Sequence, residues 1–134
     1  MRCRTRAATL GDVPLRCLVV DDNASFRTAA TALLEREGLT VVGTASNGAE
    51  ALAEAQALRP DVVLLDIAMG SESGFDVARR LADAGTATES SKIILISTHS
   101  RDDFAELIDA APAVGFVPKA QLSAQAIRRL AGQA

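Results

Sequence analysis

Residues 61–74, Asp-Val-Val-Leu-Leu-Asp-Ile-Ala-Met-Gly-Ser-Glu-Ser-Gly, constrain the fold more than any other stretch. Four apolar residues, Val62 to Leu65, run unbroken and end on one carboxylate, Asp66. The run is too short for a helix and rich in β-branched residues, so it reads as a strand buried on both faces. A strand of that kind belongs inside a parallel sheet. An acidic side chain at its end then sits on the C-terminal edge of the sheet, where open α/β folds bind their ligands. A loop of small residues follows and closes on Gly74.

The same pattern recurs along the chain. Cys17 to Val20 is a second buried run, ending on Asp21-Asp22. A helical pattern follows with Phe26, Ala29, Ala30, Leu33 and Leu34 on one face, and it stops at Gly38. Residues 40–45 form a weaker, more polar strand suited to a sheet edge. Asn47 caps a helix through Leu58, with Leu52 and Ala55 facing in, and Pro60 marks the break before the central run. After Gly74 a helix through about Ala84 carries Phe75, Ala78 and Leu81 inward. Residues 85–91 read as a loop. Ile93 to Ile96 is a third buried run, ending on Ser97-Thr98. Phe104, Leu107, Ile108 and Ala111 recur at helical spacing, and Pro112 closes that helix. Val114 to Val117 is the last strand, followed by Pro118-Lys119, and Leu122, Ala126, Ile127 and Leu130 line a final helix. Strands alternating with helices predict an α/β domain, a parallel five-stranded sheet with helices on both faces and right-handed crossovers.

Composition excludes several classes. At 134 residues the chain has the size of one domain. With four Phe, no Trp and no Tyr, its core must be aliphatic. A net charge of -3 gives no electrostatic reason to bind nucleic acid. No apolar run is long enough to span a membrane, and Arg2, Arg4 and Arg6 are not followed by the apolar segment of a secretory signal. Cys3 and Cys17 are too few for a disulfide framework, and Cys17 falls in a strand as a small hydrophobe. The expected protein is cytoplasmic, with residues 1–14 a mobile tail and 15–134 the folded domain.

Chemistry gathers at the strand ends. Asp21-Asp22, Asp66, Ser97 and Lys119 follow four different strands, so a parallel sheet brings them to one edge. Three carboxylates repel one another unless a cation sits among them, and Mg²⁺ suits an open oxygen site of this kind. A carboxylate beside that cation can act as a nucleophile and form an aspartyl phosphate. Ser97 and Lys119 can bind the phosphoryl oxygens. Taken singly, each residue also reads as a cap, a turn or a surface charge; the joint pattern is what is specific.

The chain resembles the CheY-like response-regulator receiver domains over residues 15–131. The resemblance rests on Val19-Val20-Asp21-Asp22, Val63-Leu64-Leu65-Asp66-Ile67, Gly74, Ile94-Leu95-Ile96-Ser97 and Gly115-Phe116-Val117-Pro118-Lys119. It implies a flavodoxin-like (βα)5 doubly wound sheet with strand order 2-1-3-4-5. It also implies that Asp66 is the phosphoacceptor, and that Asp21, Asp22, Asp66 and the backbone carbonyl of Ala68 hold Mg²⁺. Lys119 would pair with the phosphoryl group, Ser97 and Phe116 would be the switch residues, and the backbone of Ile67 and Thr98 would lie against the phosphate.

The implied partners are a sensor histidine kinase or phosphotransfer protein and a downstream protein or separate output domain. The helix of 101–111, the strand of 114–117 and the helix of 121–131 would form the output face, used for partners or for a homodimer. No direct nucleic-acid or membrane binding is implied, and the short final helix resembles stand-alone receivers. Two departures stand out. Met69-Gly70 replaces the family's common Met-Pro, which predicts a looser loop. Ala120 replaces the common proline after the lysine, where a cis bond would cost about 2.5–4 kcal/mol. A haloacid-dehalogenase-type phosphatase would need a second aspartate where Ala68 stands. A flavodoxin-like electron carrier would not open its phosphate loop with Asp21-Asp22. A pseudo-receiver, binding partners without phosphorylation, would lack the acidic pair or the lysine.

Overall fold

The computed structural model describes residues 15–84, 91–99 and 101–132. The expected tail of 1–14, with Cys3, and nearly all of the expected loop of 85–91 lie outside the described residues. Strands β1 (Arg16–Val20), β2 (Thr40–Ala45), β3 (Val62–Asp66), β4 (Lys92–Ser97) and β5 (Gly115–Pro118) form one sheet. Their order is 2-1-3-4-5 and every pairing is parallel, as the resemblance implied. Helices α1 (Ala24–Arg36), α2 (Gly48–Leu58), α3 (Gly74–Asp83), α4 (Ala105–Ala110) and α5 (Ala124–Leu130) alternate with the strands.

The unbroken apolar runs follow from burial on both faces. Successive strand side chains point to opposite sides. Leu18, Val20, Val63, Leu65, Ile93 and Leu95 pack with Ala51, Ala55, Phe75, Ala78, Leu81 and Ile108 under α2, α3 and α4. Cys17, Val19, Val62, Leu64, Ile94 and Ile96 pack with Ala30, Leu34, Ala124 and Ile127 under α1 and α5. Burial pushes the free Cys17 thiol up to about 12, so it stays protonated and inert. Side-chain caps start the helices: Asn23 accepts from Phe26 N at 3.1 Å, Asn47 from Glu50 N at 2.9 Å and Ser123 from Ala126 N at 3.1 Å. Gly38, at φ 98, turns the chain out of α1. The break expected at Pro60 comes one residue sooner, at Arg59 (φ 48). The Arg16 guanidinium takes up the freed Leu58 and Arg59 carbonyls at 2.7 and 2.8 Å.

Four sequence expectations are corrected. The segment 101–111 is not one amphipathic helix: Arg101–Phe104 is a 3₁₀ turn and only Ala105–Ala110 is α-helical. The tighter turn shifts the helical phase, so Ile108 is buried while Leu107 is 52% exposed. Ala29 faces solvent, because the inward stripe of α1 is narrow and runs through Ala30 and Leu34. The last strand begins at Gly115, leaving Val114 44% exposed. The loop after Asp66 is a paired hairpin, Ala68–Met69 against Glu72–Ser73. Gly70 supplies the positive φ (60°) that a two-residue turn needs, and Met69 is driven into the core.

Candidate functional site

The sheet ends place the acidic residues. Asp21 continues β1 by one residue, its N–H donating to Ala45 O at 3.0 Å, and its side chain is fully buried. Its Oδ1 accepts from Asn23 N at 2.9 Å, which folds the chain back and sets Asn23 as the cap of α1. Arg27, one turn into α1, donates to the Asp21 carbonyl at 2.7 Å. Asp21 Oδ2 is buried and receives no hydrogen bond of good geometry; its neighbour is the Lys119 ammonium, 2.5 Å away. Asp22 is exposed at the mouth of the site. Asp66 ends β3, is nearly buried, and accepts from Ala68 N at 3.3 Å. Its other oxygen lies 3.5 Å from Lys119 Nζ. One oxygen from each of Asp21, Asp22 and Asp66 lies within 4.8 Å of the others.

Charge is out of balance here. Burial, and then the negative charge of Asp21, push the Asp66 carboxyl up to about 6, against the pull of Lys119 and the Ala68 N–H. One ammonium does not offset three carboxylates. An all-oxygen donor set, one of its members exposed to water and another carrying a buried oxygen that accepts no hydrogen bond, fits a hard divalent cation such as Mg²⁺. Lys119 itself leads a 3₁₀ turn, Lys119–Gln121, directly after β5, through a trans peptide to Ala120. Its Nζ stands 4.3 Å from the centroid of the Phe26 ring.

The remaining sequence candidates fall around this centre. Ser97 ends β4, beyond Ile96, which pairs with Asp66, and is buried. Its hydroxyl stays within its own loop: His99 N donates to it at 3.0 Å and His99 Nδ1 lies 3.5 Å away. Thr98 is exposed. Phe116 is half-buried on β5 against the core beneath α2, α3 and α4. Ile67 follows Asp66 directly. Its N–H is spent on Ile96 O at 3.1 Å, its carbonyl accepts from Gly74 N at 2.9 Å, and its side chain is buried. The N–H that faces the Asp66 carboxylate is that of Ala68.

Sequence reasoning missed three residues. Asn23 and Arg27 shape the Asp21 turn, and Asn23 carried a signal as a capping residue four positions before a basic one. Phe26 reads from periodicity as a core residue, and nothing local points to Lys119. Gly74 has a steric reason: a Cβ there would stand 2.6 Å from Ile67 Cα and closer still to Asp66 O, so only glycine lets α3 start against the Asp66–Ile67 backbone.

Known proteins share this architecture. The response regulator receiver domain family matches residues 17–131. A protein-glutamate methylesterase/protein-glutamine glutaminase of Symbiobacterium thermophilum is 40% identical over 109 residues, covering 79% of this chain and 29% of that protein. A two-component response regulator of the LuxR family from Aurantimonas sp. superposes with a TM-score of 0.78 at 29% identity, covering 90% of this chain and 88% of that one. Chemotaxis response regulator CheY4 of Vibrio cholerae superposes with a TM-score of 0.75 at 25% identity, covering 88% and 99%. The chain spans about half the length of one curated relative it matches and less than a third of others. With nearly its whole described length inside the matched span, this chain belongs to the response regulator receiver domain family of two-component systems.

Proposed function

We propose that Asp66 accepts a phosphoryl group from a sensor histidine kinase or a phosphotransfer protein, in a Mg²⁺-dependent reaction in the cytoplasm. The observation that carries this reading is the convergence of Asp21, Asp22 and Asp66 within 4.8 Å, with Lys119 beside two of them. An Asp66 carboxylate oxygen forms the new bond to phosphorus as the bond from phosphorus to the donor's imidazole nitrogen breaks. Asp21, Asp22, Asp66 and the Ala68 carbonyl would hold Mg²⁺, which when bound neutralises the carboxylates and the phosphoryl oxygens. Lys119 leaves Asp21 for a phosphoryl oxygen. The Ser97 hydroxyl donates to another once its loop turns inward, and the Thr98 backbone closes the pocket. The domain, residues 15–134, assists its own phosphorylation and dephosphorylation and has no other catalytic role.

Output is read on the face of α4, β5 and α5. Leu107 and Val114 are its exposed apolar residues, which supports a docking or dimerising surface there. Inward movement of Ser97 frees space beside β5 for Phe116 to turn in. A downstream protein, an output domain or a second copy would read the change, without nucleic-acid contact by this domain. The test is intact mass after incubation with acetyl phosphate and Mg²⁺. One phosphoryl group should be gained, and lost with EDTA or in Asp66→Asn. Labelling that persists in Asp66→Asn sinks the assignment, and no labelling of the wild type leaves a pseudo-receiver that binds without phosphorylation.

A further inference from the structure

The ammonium of Lys119 is held from three sides. Asp21 Oδ2 lies at 2.5 Å, Asp66 Oδ2 at 3.5 Å, and the face of Phe26 at 4.3 Å. Lysine carries three N–H donors on a flexible four-carbon stem. The two carboxylates flank the ammonium on two sides, and the ring covers a third.

The backbone that carries the ring is tied to the site. Phe26 N donates to Asn23 Oδ1 at 3.1 Å, and Asn23 N donates to Asp21 Oδ1 at 2.9 Å. The ring therefore sits in register with the carboxylate that Lys119 pairs with. Its composition is also out of place. The other three phenylalanines, Phe75, Phe104 and Phe116, pack on the opposite side of the sheet, while the face under α1 and α5 is aliphatic apart from Phe26. Phe26 packs at the edge of that core and also presents its ring face to the Lys119 ammonium, a contact an aliphatic side chain at position 26 could not make.

We propose that Phe26 is a positioning residue for phosphoryl transfer: its ring holds the Lys119 ammonium over Asp21 and Asp66 and stays beneath it as it turns to a phosphoryl oxygen. This rests on the phosphoacceptor reading of Asp66. The variants are Phe26→Leu, which keeps apolar bulk and loses the ring face, and Phe26→Tyr, which keeps the face. In the metal-free wild type the Lys119 side-chain methylene protons should show an upfield ring-current shift by NMR, retained in Phe26→Tyr and lost in Phe26→Leu. Phosphorylation by acetyl phosphate at saturating Mg²⁺ should slow by about tenfold in Phe26→Leu and return to within about twofold of wild type in Phe26→Tyr. Mg²⁺ binding to Phe26→Leu should be no weaker than to wild type, which shows that the carboxylates remain in place. A wild type that takes no phosphoryl group overturns the functional reading and this one with it. A wild type that is phosphorylated, with Phe26→Leu at the same rate or with no ring-current shift on Lys119, overturns only the role of the ring.

Discussion

Asp66→Asn should make the metal-free protein more stable above neutral pH, although it removes the carboxylate at the centre of the candidate site. Unfolded, an aspartate titrates near 3.9. Folded, Asp66 is pushed up to about 6, by burial first and Asp21 second. Between those values the folded protein keeps a proton that the unfolded chain has released. The contribution of Asp66 to stability is therefore fully present below about pH 4 and is lost as pH rises through 6. A displacement of about two units corresponds to about 3 kcal/mol at most. Water enters at the mouth beside Asp22, so screening reduces the realised amount to about 1–2 kcal/mol. Asparagine mimics the protonated carboxyl in shape and charge, and Lys119 keeps its closer partner, Asp21.

In EDTA at pH 8 the variant should melt about 3–10 °C above wild type, taking roughly 3–5 °C per kcal/mol for a domain of this size. At pH 4.5 most of the difference should vanish. Adding Mg²⁺ at pH 8 should raise the wild type more than the variant, because binding to the folded state stabilises by mass action. Far-UV circular dichroism is the probe, since a chain without Trp or Tyr offers no useful intrinsic fluorescence. A variant no more stable than wild type in EDTA at pH 8, or a gain that persists unchanged at pH 4.5, would refute the account of Asp66 as a buried, repelled carboxylate.

Gly74→Ala sets a new Cβ against the backbone of Asp66 and Ile67, where neither neighbour is a flexible side chain. It should cost about 3 kcal/mol by denaturation, the upper end of overpacking penalties, and weaken Mg²⁺ binding by moving Asp66. Ala68 is small and exposed next to Asp66, so on the proposed function a larger side chain there would block water from reaching a phosphoryl group on Asp66. Ala68→Arg should slow loss of the phosphoryl group, and an unchanged decay rate would show that position 68 does not gate water. With beryllofluoride as a phosphoryl mimic, wild-type NMR shifts should extend from the site into residues 101–120 and shrink beyond it in Ser97→Ala. Shifts confined to the neighbours of Asp66 in wild type would place output in the site's own loops.

The fold was legible because burial on both faces leaves a plain mark. Val62–Leu65, Cys17–Val20 and Ile93–Ile96 are unbroken apolar runs, and each sends alternate residues into separate cores. Where local geometry departed from the ideal period, the pattern misled. Leu107 matches an α-helical stripe with Phe104 and Ile108, but a 3₁₀ turn before it changes the phase. Gly70 in place of proline predicts slack, but its φ of 60° closes a tight hairpin. Glycine at a turn permits a defined conformation as readily as a loose one.

The same distinction divides the site. A parallel sheet must deliver every strand end to one edge, so Asp21, Asp66, Ser97 and Lys119 are brought to the same neighbourhood by topology alone. Topology does not decide which way a side chain turns after its strand ends. Asp21 and Asp22 are identical in type and adjacent, yet one is fully buried and the other exposed. The difference is made by Asn23, whose N–H takes Asp21 Oδ1 and turns the chain into α1. Ile67 and Ala68 divide in the same manner: the ladder continues through Ile67 N to Ile96 O, so the N–H facing the carboxylate comes from the next residue. Strand periodicity therefore locates a receiver site, whereas its donors are set by where each ladder stops, and that depends on hydrogen bonds between residues far apart in the chain.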